Sequence, residues 1–326
     1  MMVGMIRVHE VGGPEVLRFE QVELGRPGPG QARLRQTAIG LNFIDVYFRT
    51  GLYPAPGLPF TPGMEGAGVV EAVGDGVTEV AVGDRVAYAG APIGAYAETR
   101  LVPADRLVRL PDGIDDRQAA AMMLKGMTAQ YLLRRTFPVR PGQTILFHAA
   151  AGGVGLIACQ WAKHIGARVL GTVGSDAKAE LARAHGCDVT IRYDRENVVS
   201  RVRELTDGKG VAVVYDSVGK STFEQSLDCL APLGMLVSFG QSSGSIPPLN
   251  LGILSQKGSL YVTRPTLVTY VAARHDLLAS AKELFDVVQS GAVRIQINQT
   301  FALGDAAEAH RALESRRTTG STLLLP

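Results

Sequence analysis

"HAAAGGVGLIACQWAKHIGARVLGTVGSDAK", residues 148–178, is the stretch whose reading decides the fold. It begins at the end of an apolar run, "TILFHA" (144–149), turns through glycines, passes through a helix with an apolar face, and enters a second apolar run, "RVLGTV" (168–173). That order points backbone N–H groups and a helix N-terminus at a pyrophosphate. Ala150, Gly152 and Gly155 occupy the three glycine positions of the G-x-G-x-x-G pattern, with Gly153 and Val154 between them. Alanine at the first position departs from the pattern. The plain alternative is close helix–strand packing with no ligand, but the strand–turn–helix context favours a dinucleotide.

A second feature is missing as well. NAD-preferring sites carry a carboxylate at the end of the second strand, roughly 20 residues after the glycines, that binds the adenosine ribose hydroxyls. Val173 stands there, followed by Ser175 and Lys178, a hydroxyl and a cation that suit the 2′-phosphate of NADPH. Asp176 works against this reading unless it serves the first turn of a helix, where a carboxylate faces the positive end of the macrodipole. Lys178 lies in the same first turn, where a cation is disfavoured, so an anionic partner explains it better than solvation does. Tyr193, in "IRYDREN", is placed to close over the same phosphate; read alone it is an edge aromatic.

Outward from this turn the pattern repeats. "VAVVYD", "MLVSFG" (235–240) and "SLYVT" (259–263) are near-continuous apolar runs, as strands buried on both faces of a parallel sheet require. Residues 126–263 therefore read as a doubly wound, Rossmann-type α/β domain. Residues 1–125 read instead as short strands broken by Gly and Pro, including "QARLRQTAIGLNF", "GAGVVEAVG" and "GDRVAYAG", which suits a partly open β-barrel. The tail from Arg264 holds a helix ending near Gly291, a strand, a second helix and a last strand, "STLLLP". Its pattern does not say which domain it joins.

Composition narrows the function classes. The 326 residues are 46% hydrophobic and 20% charged, and no apolar run approaches the roughly 18 residues of a membrane helix. The N-terminus lacks the basic and apolar regions of a secretory signal, which favours the cytoplasm. A net charge of +2 with dispersed basic residues leaves no footprint for nucleic acid. Cys159, Cys187 and Cys229 have no C-x-x-C spacing and read as inert thiols. The six histidines show no metal-ligand spacing; His164, His185 and His310 fall on predicted helix surfaces, and His148, next to the glycine turn, reads as a satisfied core residue. Asp45 and Arg49 are spaced as an i,i+4 pair.

Together with "GLNFIDVYFRTGLYP", "VGDRVAYAG" and "KGSLYVTRPTL", these features resemble the zinc-free quinone oxidoreductases of the zeta-crystallin type, in the medium-chain dehydrogenase/reductase superfamily. The resemblance spans essentially the whole chain. It implies a GroES-like catalytic domain built from 1–125 and 264–326, a Rossmann domain at 126–263, and NADPH in the cleft. It also implies that Asn42, Tyr47, Tyr53 and Thr128 face the nicotinamide or substrate, and that Gly152, Gly153 and Val154 hold the pyrophosphate. Ser175, Lys178 and Tyr193 then hold the 2′-phosphate end, Phe239, Gly240 and Arg264 flank the cofactor, and Gly320 and Ser321 return near it.

Zinc-dependent members of that superfamily bind catalytic metal through a Cys, the His of a Gly-His-Glu segment and another Cys. The matching positions here are Asn42, Met64 and approximately Leu124, and an amide, a thioether and an alkyl group do not replace those ligands. No zinc is expected. Without a Lewis acid the acceptor must already be electrophilic, a quinone or an alkene conjugated to a carbonyl. The resemblance implies NADPH-dependent reduction of quinones by a homodimer. Asn42 is expected to donate to the ribose or to a developing oxyanion, and Tyr47 and Tyr53 to wall the acceptor pocket. The same cleft with a different pocket shape would reduce enones or enals. A third reading, an NADPH- or RNA-binding protein with little turnover, is opposed for RNA by the missing basic stripe.

Overall fold

The structure is a computed structural model describing residues 1–326. Two compact units form: Met1–Met127 with Tyr270–Gln289 and Ile295–Pro326, and Thr128–Thr269 with Ser290–Arg294. Arg264 belongs with the second unit because its Nη1 donates to the carbonyls of Ser238 (3.0 Å) and Gly240 (2.8 Å) there. No helix is long and apolar enough to cross a membrane.

In chain order the elements are β1 (Met2–Arg7), β2 (Arg18–Glu23), β3 (Gln31–Leu41), α1 (Phe43–Arg49), β4 (Glu65–Val73), β5 (Arg85–Ala89), β6 (Thr99–Pro103), β7 (Val108–Arg109) and α2 (Asp116–Tyr131). Then come β8 (Thr144–Phe147), α3 (Gly153–Ile165), β9 (Arg168–Val173), α4 (Asp176–Ala184), β10 (Val189–Arg192), α5 (Val198–Leu205), β11 (Val211–Asp216), α6 (Phe223–Asp228) and β12 (Leu230–Ser238). The chain closes with α7 (Gly252–Gln256), β13 (Tyr261–Thr263), α8 (Leu267–Tyr270), α9 (Arg274–Gln289), β14 (Ile297–Ala302), α10 (Ala306–Glu314) and β15 (Ser321–Leu325).

In the first unit β3 is the organising strand. Ala32, Leu34, Gln36 and Ala38 are buried on one face, as the period of two requires. β3 pairs antiparallel with β4, β6 and β15, so both ends of the chain meet on the strand that leads into Asn42. Ile39, Leu107, Tyr96, Leu303, Ala306 and Leu324 fill the core behind it.

The second unit is a six-stranded parallel sheet in the order β10-β9-β8-β11-β12-β13, the doubly wound arrangement read from the sequence. The order reverses between β8 and β11, and ligands bind at the carboxyl ends of strands around such a point. Several strand edges differ from the sequence reading: β8 ends at Phe147 and β12 at Ser238, each two residues early, and two starts move as well. β12 starts at Leu230, five residues early, after a register irregularity between Val211 and Val213 of β11. β13 starts at Tyr261 because Ser259 takes a φ of +57°, which no strand continues through.

Candidate active site

The glycine turn is built as the sequence suggested, with one difference. The residue in the left-handed region is Ala149 (φ +55°), one position before the alanine that replaces the first glycine. Ala150 itself is fully buried, and the room for its methyl comes from across the sheet: a Cβ on Gly171 would lie 2.7 Å from the Ala150 Cβ. The glycine lost at 150 is thus recovered at 171. Gly155 is needed for close packing, since a Cβ there would lie 2.5 Å from the Ala149 carbonyl oxygen and 2.6 Å from that of Ala150. Gly152 is the N-cap of α3 and no side chain caps it, so the first-turn N–H groups, including those of Gly153 and Val154, point outward for an anion.

Behind the turn lies a buried polar chain. Ser226 Oγ donates to Asp216 Oδ2 (2.9 Å) and therefore accepts from His148 Nε2–H (3.0 Å); His148 Nδ1 then accepts from Thr172 Oγ1 (2.9 Å). Burial holds His148 below its usual pKa, consistent with this neutral tautomer. His148 is a satisfied core residue that fixes the turn through Thr172, whose hydroxyl and carbonyl also accept the N–H groups of Ala149 and Ala150. Asp216 Oδ1 accepts from Val218 and Gly219 N–H (2.7 and 3.1 Å), holding the loop after β11.

At the end of β9, Ser175 caps α4, its Oγ accepting the Lys178 N–H (3.2 Å). Lys178 is half-buried, and Tyr193 is exposed with its hydroxyl over Gly174, where a Cβ would lie 2.3 Å from it. Asp176 does begin α4, and it also has partners the sequence did not reveal: Arg192 and Arg195 pair with it, the latter at 3.4 Å. The Phe239 ring packs on Phe147 with centroids 5.7 Å apart. Gly240 lies against the backbone of Ser217, a Cβ there falling 2.6 Å from its carbonyl oxygen. Thr128 is buried on α2.

In the first unit, Asn42 follows β3 and is the N-cap of α1. Its Nδ2 donates to Glu65 Oε2 (2.8 Å) and, weakly, to the Gly40 carbonyl (3.4 Å). The donor role expected of Asn42 is therefore already taken, and what its amide retains for a ligand is carbonyl lone-pair capacity. Sequence reasoning missed Glu65 and Lys125. Glu65 is fully buried and receives three donors: Asn42 Nδ2, Lys125 Nζ (2.8 Å) and the Leu124 N–H (2.7 Å). Tyr47 is buried and meets Tyr53 edge-on, centroids 5.1 Å apart, while Tyr53 also stacks edge-on to Phe48.

A second polar chain runs on from Asn42. Asp45 Oδ2 accepts from the Asn42 N–H (2.9 Å) and the Tyr96 hydroxyl (3.0 Å). The expected Asp45–Arg49 pair does not form: Arg49, buried, makes a two-pronged ion pair with Glu314 at 2.8 Å. Its Nη1 also lies 3.1 Å from His310 Nδ1, and a guanidinium only donates, so Nε2 of the neutral ring carries the hydrogen and donates to the Tyr96 oxygen at 3.0 Å. His310, expected on a helix surface, is fully buried. Burial raises the Asp45 carboxyl to about 7, and burial followed by the Arg49 charge lowers His310 to about 3.

Gly320 turns with φ +58° into β15, and the Ser321 hydroxyl donates to the Ala121 carbonyl (2.8 Å). Cys159 and Cys187 are not isolated, their Sγ atoms lying 3.4 Å apart in the core. No three His, Cys, Asp or Glu side chains converge as a metal site requires.

Residues 28–112 match the alcohol dehydrogenase GroES-like domain and residues 153–283 the zinc-binding dehydrogenase family. A quinone oxidoreductase of Pseudomonas aeruginosa is 62% identical over 325 residues, covering all of both chains. The chain belongs to the quinone oxidoreductase family. The crystal structure of the Escherichia coli family member complexed with NADPH superposes with a TM-score of 0.97 at 50% identity, covering 99% of this chain and 100% of that one. A 2-haloacrylate reductase of a Burkholderia species is 48% identical over 332 residues, with 100% and 99% coverage. The family's fold is thus the two-domain medium-chain dehydrogenase/reductase fold, present here in full.

Proposed function

We propose that this chain is an NADPH-dependent quinone reductase that works without zinc. The observation that carries the reading is the acid-free end of β9, where Ser175, Lys178 and Tyr193 stand beside an α3 N-terminus that no side chain caps. These residues fit a phosphorylated dinucleotide: Gly152, Gly153 and Val154 for the pyrophosphate, with Ser175, Lys178 and Tyr193 for the 2′-phosphate. Asp176 does not oppose this, because Arg192 and Arg195 neutralise it. Phe239, Gly240 and Arg264 line the loops at the same strand ends. Bound NADPH supplies the hydride. Asn42, Tyr47, Tyr53 and Thr128 are read as the residues facing the reacting groups, with Asn42 accepting a hydroxyl, and Gly320 and Ser321 as returning near the cofactor. The acceptor assignment rests on relatives named quinone oxidoreductase at 50–62% identity.

The 48% identical 2-haloacrylate reductase supports a second reading, reduction of an alkene conjugated to a carbonyl in the same site. A cytoplasmic homodimer belongs to the proposal, and light scattering on the purified protein tests the dimer. The cofactor assignment is tested by Lys178→Glu with both nucleotides titrated by nicotinamide fluorescence. NADPH should weaken much more than NADH; equal loss removes Lys178 from the 2′-phosphate.

A further inference from the structure

Lys125 is a buried ammonium whose one hydrogen-bond partner in the protein is Glu65 Oε2, at 2.8 Å, on the same oxygen that takes the Asn42 amide. Three N–H groups project from an ammonium, so two have no protein acceptor, and a buried cation half-served in this way is costly unless another oxygen completes it. Glu65 reaches Lys125 through Oε2 alone, and its Oε1 takes the Leu124 N–H. Lys125 directly follows Leu124 and Glu65 directly follows Met64, two of the positions matched above to metal ligands, and Asn42 is the third. A buried positive charge therefore sits on Glu65, beside Asn42, next in sequence to positions where the resemblance finds no metal ligand.

We propose that Lys125 is a further catalytic residue, its free N–H groups donating to the acceptor's carbonyl oxygen as negative charge collects there. This rests on the quinone reductase reading. The hydride carries two electrons and one proton to the acceptor, NADPH leaves as NADP⁺, the quinone becomes the hydroquinone monoanion, and water supplies the second proton. Lys125 keeps its own proton throughout and stabilises the oxyanion. Glu65 positions it and, on its shared oxygen, Asn42.

The test compares wild type with Lys125→Met, Lys125→Arg and the charge-balanced double variant Lys125→Met/Glu65→Gln, which carries the test if the single variant does not fold. Three readouts are taken: kcat/KM for 1,4-benzoquinone and for the less electrophilic 1,4-naphthoquinone, the Kd of NADPH, and the Kd of the 2-hydroxy-1,4-naphthoquinone anion without turnover. Losing an oxyanion donor should lower kcat/KM on naphthoquinone by about 10²-fold. The loss should be smaller on benzoquinone, the anion should bind more weakly, NADPH affinity should hold, and Lys125→Arg should recover part of the rate. Equal losses on both quinones, unchanged anion binding, or a loss confined to NADPH affinity would overturn the role. Wild type that binds NADPH but reduces neither quinone overturns the underlying reading and Lys125 with it, whereas active wild type with an indistinguishable Lys125→Met removes Lys125 alone.

Discussion

The two units order their sites by opposite means. In the second unit, neutral groups and one fully satisfied carboxylate, Asp216, brace a turn that presents backbone N–H groups. In the first unit the bracing groups are the buried pair of Lys125 and Glu65, and a buried Arg49 held by the exposed Glu314. A backbone cradle tolerates changes that leave its spacing intact, while a buried charge requires its partner. The first unit should therefore fail harder when one side chain is removed.

The largest effect should come from Glu65→Leu, which leaves Lys125 buried and unpaired; breaking a buried pair costs about 3–5 kcal/mol. Urea denaturation checks this, and a cost near that of a surface pair would end the contrast. Gly155→Ala should cost about 1–3 kcal/mol by overpacking against the Ala149 and Ala150 carbonyls. It should also shrink the rise in Tm that NADPH produces, because ligand stabilisation tracks affinity.

The charged chain of the first unit also predicts a pH signature. With its pKa raised to about 7, folded Asp45 holds a proton that the unfolded chain has lost above 3.8, so its contribution to stability falls as pH rises through that window. His310, lowered to about 3, is neutral in the fold while the unfolded ring is charged below 6.5, so its contribution falls as pH drops from 6.5 toward 3. Between about pH 4 and 6.5 the two slopes oppose. Relative to wild type, Asp45→Asn should make stability rise with pH across that window and His310→Gln should make it fall, read by denaturation at several pH values. Two unchanged profiles would show that neither group titrates as its burial requires.

The smallest effect sharpens the account of the turn. Gly171→Ala should destabilise, and adding Ala150→Gly should recover part of the loss, with a coupling of about 0.5–1 kcal/mol. Additive effects would mean that the two positions do not share one space.

The same contrast explains what was legible. The glycine turn, the strand–helix alternation and the missing acid lie within some thirty residues, so local spacing conveys them. Gly171 was legible in principle, as a glycine inside a buried strand opposite an unexpected alanine. The charged chain was not: Asn42, Glu65, Tyr96, Lys125 and His310 are brought together only by the pairing of β3 with β4 and β15 and by packing of the helices behind them. Helical spacing drew attention to Asp45 and Arg49 as a pair, but Arg49 found Glu314 instead, because burial made a carboxylate from the far end of the chain its better partner. Helix periodicity puts His310 on a surface because it does not report which face distant segments cover.

The most direct test of the account is steady-state oxidation of NADPH and NADH by chelator-treated protein, followed at the nicotinamide absorbance, with 1,4-benzoquinone, 1,4-naphthoquinone, an enal and an enone as acceptors. The account predicts quinone turnover that prefers NADPH and is unchanged by the chelator. Turnover confined to the enal or enone, or activity that disappears with the chelator and returns with zinc, would contradict it.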